Sequence, residues 1–170
     1  MRRLRVCLLL LACAPCYAFS QRLSVGDLTC EYEKNPIGLD VPVPRLSWKL
    51  ASVDRDVMQS AYEIRVGGDS ASVTSGESLI WQTGKVMSER SLFVEYGGPP
   101  LESKKSYVWQ VRVWDNHGNS SAWSTPCSWE MGLLRPSDWL AKWIEPVLPN
   151  DSAGQPAPML RRSFALNNAV

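Results

Sequence analysis

The sequence predicts an all-β sandwich, and three observations lead to this fold class. Seven segments alternate apolar and polar side chains, as strands with one buried and one solvated face do. Segments rich in glycine, proline and asparagine separate them at short intervals, which is typical of turns between short strands. No stretch of about ten residues has a convincing 3.6-residue apolar period, so we expect little helix. Together these features are typical of a seven-stranded sandwich of the fibronectin type III or immunoglobulin-like kind.

The first predicted strand places Leu28, Cys30 and Tyr32 on its buried face. Residues 35–44 follow and contain three prolines, so they should form an extended connection rather than a central strand or a helix interior. The other predicted strands are residues 45–50, 61–66, 79–83, 91–96, 107–114 and 127–131.

Large apolar residues on the inward positions of these strands form the predicted core. They are Trp48, Tyr62, Ile64, Tyr107, Trp109, Val111 and Trp129. Leu101, six residues before Tyr107, fits a tyrosine corner, in which the hydroxyl of a buried ring bonds back to the chain. Cys30 and Cys127 lie on the first and last predicted strands, not where an antibody disulfide lies, which favours the fibronectin-like branch. They could pair in an oxidising compartment, but we expect free, buried thiols because the core needs no bridge.

Residues 1–18 are predicted to be a secretory signal peptide, since a basic start precedes a short apolar run and small residues. The run is far shorter than the ~20 residues that span a bilayer. Cleavage after Ala18 predicts a secreted or periplasmic protein. The alternative is a lipoprotein signal, with a lipid anchor on Cys13 attaching the protein to the outer membrane or cell surface.

Charge and motif content exclude several functions. Without Arg2, Arg3 and Arg5 in the leader, 15 basic residues stand against 17 acidic ones, so no basic surface for nucleic acid is expected. The single histidine, His117, lies in a predicted turn, and Asp54 and Asp56 lie in a loop. We therefore expect no metal site, no cofactor and no catalytic residue.

Aromatic residues are the better candidates for binding. Trp114 occupies a position on its strand that should face outward, while Trp81 and Trp123 lie near strand ends. Exposed aromatic rings mark an interface, which could be with carbohydrate or with another domain. The third alternative is that these rings pack within their own domain. We expect Trp139 and Trp143 to pack against a following domain.

The predicted domain organisation has four parts. After the signal peptide, residues 26–133 form the sandwich and residues 134–158 form a linker. Residues 159–170 are expected to be the opening strand of a truncated second β domain, because a lone strand cannot cover its own edge.

Five stretches resemble the N-terminal region of bacterial α-L-rhamnosidases of glycoside hydrolase family 78. They are LTCEYEKNPIGLDVPVPRLSW (28–48), QSAYEIRV (59–66), IWQTGKVMSERS (80–91), LESKKSYVWQVRVWDNHGNSSAWS (101–124) and WEMGLLRPSDWLAKWI (129–144). The resemblance implies a fibronectin-like first domain, a jelly-roll domain that residues 156–166 would open, and a catalytic (α/α)6 barrel later in the chain. It implies no catalytic residue in this chain.

The function expected from this resemblance is that of a non-catalytic structural module in a secreted α-L-rhamnosidase, present here as a fragment. Its partners would be the remaining domains of the full-length enzyme. Two alternatives stay open: a carbohydrate-binding module, and an independent surface adhesion domain.

Overall fold

The computed structural model describes residues 23–144, 159–163 and 165, and it folds the first of these ranges around two antiparallel sheets. Its strands are β1 (Leu23–Cys30), β2 (Arg45–Ser52), β3 (Gln59–Gly67), β4 (Trp81–Gln82), β5 (Val86–Met87), β6 (Val94–Glu95), β7 (Ser106–Asp115) and β8 (Cys127–Glu130). One sheet has three strands in the order β1–β2–β6. The other has five, in the order β4–β3–β7–β8 with β5 also paired to β3. The predicted all-β sandwich is confirmed.

Aromatic side chains dominate the core between the sheets. The ring of Trp48 packs edge-on against Tyr62, with centroids 5.3 Å apart. Trp129 stacks on Tyr107 at 5.4 Å, and the Tyr107 hydroxyl accepts a hydrogen bond from the backbone N–H of Glu102 at 2.9 Å, as in a tyrosine corner. The buried cluster includes Trp48, Tyr62, Ile64, Tyr107, Trp109, Val111 and Trp129.

The end of β1 differs from the sequence prediction. The strand stops at Cys30, and Tyr32 is 67% exposed instead of buried. Glu31 and Tyr32 adopt φ values of 47° and 74°, which turn the chain out of the extended conformation. The reversal is closed by reciprocal backbone hydrogen bonds between Cys30 and Glu33.

The proline-rich connection covers the free edge of β8. We call residues 35–39 the edge segment. Its Pro36 oxygen accepts from Glu130 N at 2.9 Å, and its Leu39 N donates to the Glu130 oxygen at 2.9 Å. This pairing gives an otherwise open strand edge its hydrogen bonds.

Shorter elements depart from the predicted boundaries. The predicted strands 79–83 and 91–96 reduce to the two-residue strands β4 and β6, and β5 was not predicted. Helix α1 (Ser70–Ser75) was also missed, because six residues are too few to show a helical period. Asp69 caps its start by accepting from Ser72 N, and Gly76 ends it at φ 79°.

Replacement of Trp48 by alanine should lower the free energy of unfolding by about 3–5 kcal/mol. The change opens a cavity and leaves Gln59 Oε1, which accepts from the indole N–H at 2.9 Å, without that partner. A urea titration measures the loss. Trp143→Ala is the control, since this ring is 93% exposed and its loss should cost less than about 0.5 kcal/mol. Equal losses for the two variants would contradict the placement of Trp48.

Protonation of Asp115 should lower the free energy of unfolding of the domain at acidic pH. Burial raises the pKa of this carboxyl, but three hydrogen bonds from Asn119 and His117 outweigh burial and hold the pKa below its usual value. The stabilisation is therefore fully present above about pH 4 and is lost as the pH falls through the folded-state pKa. Urea midpoints measured from neutral pH down to about pH 2.5 should show a shallower decline for Asp115→Asn than for the unaltered chain. Parallel pH profiles would rule out this contribution.

Candidate interaction surfaces

The outer face of the five-stranded sheet carries a row of alternating cations and indole rings. Arg65 Cζ lies 3.9 Å from the centroid of Trp123, and Arg112 Cζ lies 4.7 Å from the same ring. Arg112 Cζ is also 5.0 Å from Trp114, over which Lys85 Nζ lies at 4.5 Å. We call these five residues the cation–aromatic ladder. Each indole ring has two cations over it, and such contacts are attractive because the ring face is electron-rich.

Two serines place Trp123 on this face. Ser121 Oγ accepts from Val113 N at 3.0 Å, and Ser124 Oγ accepts from Val111 N at 3.1 Å. Their own backbone N–H groups donate to the carbonyl oxygens of the same two valines at 2.9 Å. The segment therefore runs beside β7 as an irregular neighbouring strand, which holds the Trp123 ring over the sheet.

The ladder also covers charged groups that the period-two pattern predicts to be solvated. Glu63 is buried and forms an ion pair with Arg112 at 2.7 Å, and it accepts from Gln82 Nε2 at 2.6 Å. Arg65 is buried as well, and its guanidinium donates to Gln110 Oε1 at 2.8 Å. The sequence analysis did not predict that these two residues are buried. A usable signal was that Arg65, Arg112 and Trp114 all occupy outward positions on strands, where cations and an indole ring can pack on each other.

The three predicted contact tryptophans do not share one surface. Trp114 and Trp123 are half-buried in the ladder. Trp81 lies on the core side of β4, where its ring meets Tyr96 edge-on at 4.9 Å. Trp114 and Trp123 are both engaged within the domain, because cations of neighbouring strands and loops pack over their rings.

The acidic loop pair and the histidine lie at the surface of turns. Asp54 N donates to Ser52 Oγ, and the backbone oxygen of Asp56 accepts from Asn116 Nδ2 at 3.1 Å. His117 is exposed, and its backbone N–H donates to Asp115. Across the described ranges, no three His, Cys, Asp or Glu side chains group so that they could hold a metal ion.

Both cysteines of the described ranges are free thiols. Cys30 is buried in the core, and burial raises the pKa of its thiol to about 12. Cys127 is half-buried and not fully buried as predicted, and its thiol donates to Asn35 Oδ1 in the edge segment at 3.1 Å. None of the helices in the described part of the chain has the length and apolar character needed to cross a bilayer.

The chain leaves the sandwich along a fixed path, which we call the exit segment (residues 132–144). Gly132 N donates to the Leu39 oxygen at 2.7 Å, and a Cβ on Gly132 would lie only 2.8 Å from the Gly38 oxygen. Leu134 N donates to Ser103 Oγ at 2.9 Å, and this hydroxyl donates in turn to Asp138 in the 3-10 turn Pro136–Asp138. These contacts fix the direction of exit up to Asp138.

Beyond Asp138 the exit segment is apolar and exposed. Trp139 and Trp143 stack on each other with centroids 6.3 Å apart. Leu140 and Ile144 are exposed beside them. The described residues of the predicted opening strand, 159–163 and 165, have no regular secondary structure here, and their place in a second β domain stays a prediction.

Two packed antiparallel sheets with a tyrosine corner define this chain as an immunoglobulin-like β-sandwich. The family follows from a family model described as "Rha78A-like, N-terminal immunoglobulin domain", which matches residues 25–135. The chain belongs to this family.

Similar proteins agree with this assignment. An α-L-rhamnosidase of Streptomyces avermitilis is 45% identical over 127 residues, which are 75% of this chain and 12% of that protein. One from Formosa agariphila is 37% identical over 144 residues, or 81% of this chain and 15% of that protein. The chain thus spans about an eighth of the length of these relatives.

Solved structures give the same result. The S. avermitilis α-L-rhamnosidase complexed with L-rhamnose has a TM-score of 0.69 and 46% identity, covering 72% of this chain and 12% of that one. The α-L-rhamnosidase from Dictyoglumus thermophilum has a TM-score of 0.69 and 37% identity, and the match covers 72% of this chain and 14% of that one.

Replacement of Arg112 by methionine should lower the free energy of unfolding by about 2 kcal/mol, because Glu63 is left buried without its charged partner. Urea denaturation measures the change. The double variant Glu63→Gln/Arg112→Met should recover part of the loss, since it removes the uncompensated charge. If Arg112→Met costs no more than Arg55→Met, at an exposed loop position, the ladder does not stabilise the sheet.

Proposed function

We propose that this chain supplies the non-catalytic N-terminal module of a secreted α-L-rhamnosidase and that the module positions the domains that follow it. The proposal depends on the match of residues 25–135 to an N-terminal immunoglobulin domain in relatives of which the chain spans 12% and 15%. Hydrolysis of α-L-rhamnosides belongs, in this proposal, to the remainder of such an enzyme.

The side chains of the sandwich support a structural role. Inverting glycosidases place two carboxyl groups about 6.5–9.5 Å apart across a sugar cleft. Among the described residues, the buried carboxylates are Glu63 and Asp115, and both are held by neighbours within the domain. The ladder likewise uses Trp114 and Trp123 for internal packing, which favours a structural module over a carbohydrate-binding one.

Export is part of the proposal. Residues 1–18 lie outside the described residues, and their basic start, apolar run and small residues support a signal peptide. A lipid anchor on Cys13, also outside them, is the alternative form of the same export.

A domain replacement in the S. avermitilis relative tests the proposal. Deleting its N-terminal immunoglobulin domain should lower its thermal midpoint by several degrees and reduce the yield of active enzyme. A chimera carrying residues 25–144 of this chain in that place should restore both. Differential scanning calorimetry and turnover of an aryl α-L-rhamnoside are the measurements. A deletion that leaves both properties unchanged would contradict a positioning role.

The isolated chain from residue 19 onward is the matching control. It should neither hydrolyse the aryl α-L-rhamnoside nor release heat with millimolar L-rhamnose in a calorimeter. Saturable binding would favour the carbohydrate-binding alternative, and turnover at enzymatic rates would overturn the non-catalytic assignment.

A further inference from the structure

The loop 31–44 between β1 and β2 exposes four apolar side chains. The edge segment within this loop pairs with β8 where the chain leaves the sheet. We call four exposed residues of this loop the exit patch: Tyr32, Ile37, Val41 and Val43. The exit segment begins beside the edge segment, and further along it exposes four more apolar residues: Trp139, Leu140, Trp143 and Ile144.

An arginine clamp holds one side of the patch in place. The Arg45 guanidinium donates to both oxygens of Glu31, with Nη2 to Oε2 at 2.7 Å and Nε to Oε1 at 3.1 Å. Its Cζ lies 5.4 Å from the Tyr32 ring and 5.3 Å from Phe93, and the two rings are 5.1 Å apart. Glu31 neutralises Arg45, so the clamp suits an apolar partner better than a charged one.

The backbone under the clamp is strained. Tyr32 has φ 74° and Phe93 has φ 54°, in the left-handed region that bulky side chains rarely adopt. This conformation directs the Tyr32 ring away from the core and leaves it 67% exposed. Strained residues persist where neighbouring contacts over-determine them, and they concentrate at functional sites.

We propose that the exit patch is the surface on which the next domain of the full-length rhamnosidase docks through an apolar face. This inference rests on the proposed function. The chain leaves the sandwich beside the patch, through Gly132 against Gly38 and Leu39, so the following domain is tethered next to it. Tethering raises the effective concentration of that domain, and a modest inter-domain contact is then sufficient.

The S. avermitilis chimera carrying residues 25–144 tests the surface. Ile37→Asp/Val43→Asp places two charges in the exit patch. Val53→Asp is the matched control, because Val53 is 76% exposed and follows β2 at the opposite end of the sandwich. Each change is also made in the isolated chain, whose thermal midpoint should stay within about 2 °C of the unaltered value. If the double variant does not fold, Ile37→Asp alone replaces it, since Ile37 is 81% exposed.

Only the patch variant should lose the coupling between the unfolding of the module and that of the rest of the enzyme. The unaltered and Val53→Asp chimeras should melt in one transition and resist limited proteolysis between residue 139 and the junction that follows residue 144. The patch variant should melt in two transitions and be cleaved there at least about tenfold faster, because opening exposes the connection.

The other outcomes are decisive in different ways. If the unaltered chimera is coupled and the patch variant is coupled too, the patch is not the docking surface, while the proposed function stands. If the unaltered chimera melts in two transitions like separate proteins, the proposed function fails and the docking surface fails with it. If the isolated chain dimerises in sedimentation and Ile37→Asp/Val43→Asp abolishes the dimer, the occupant is a second copy and the proposed partner is wrong.

Discussion

β3 and β7 pair along most of their length, and their register decides what lies on each side of the five-stranded sheet. Ile64 is opposite Val111 on the core side, and Glu63 is opposite Arg112 on the outer side. Side chains of a strand alternate between faces, so a slip by one residue would exchange the two sets. The apolar core and the paired charges outside it therefore depend on the same register.

The outer face of this sheet is organised as a second, mixed layer and not as a solvated surface. Arg65 and Arg112 carry positive charge, and the rings of Trp114 and Trp123 pack against them. Glu63 neutralises Arg112 through an ion pair. Ion pairs at an exposed surface stabilise little, whereas charged hydrogen bonds sheltered by aromatic rings contribute more. This layer covers the outer face of the five-stranded sheet and holds β3, β7 and the segment of Trp123 together from outside the core.

The long strands could be predicted from the sequence because each buries one complete face. Alternation located β2, β3, β7 and β8, together with the core residues Trp48 and Trp109. The predicted strands around β4 and β6 were too long and β5 was missed, because two-residue strands are defined by their partners and contain no period of their own.

Local backbone geometry and long-range pairing account for the other misses. The exposure of Tyr32 depends on positive φ angles at positions where the sequence has no glycine. The ladder requires Trp123, in an irregular segment, to meet Arg65 on β3. No periodicity in one segment predicts a contact between two distant ones. The outward position of Trp114 was predictable, but the cations over its ring were not.

The edge segment has a consequence for how the domain forms during synthesis. Asn35 Oδ1 accepts from Ser128 N at 2.8 Å, although the two residues are 93 positions apart in the chain. Leu39 likewise pairs with Met131 in a parallel β-bridge. Contacts this distant in sequence slow folding, because a long loop must be ordered before they form. The edge segment therefore cannot take its native place until β8 has been synthesised, so this side of the domain closes only after about residue 131 has emerged.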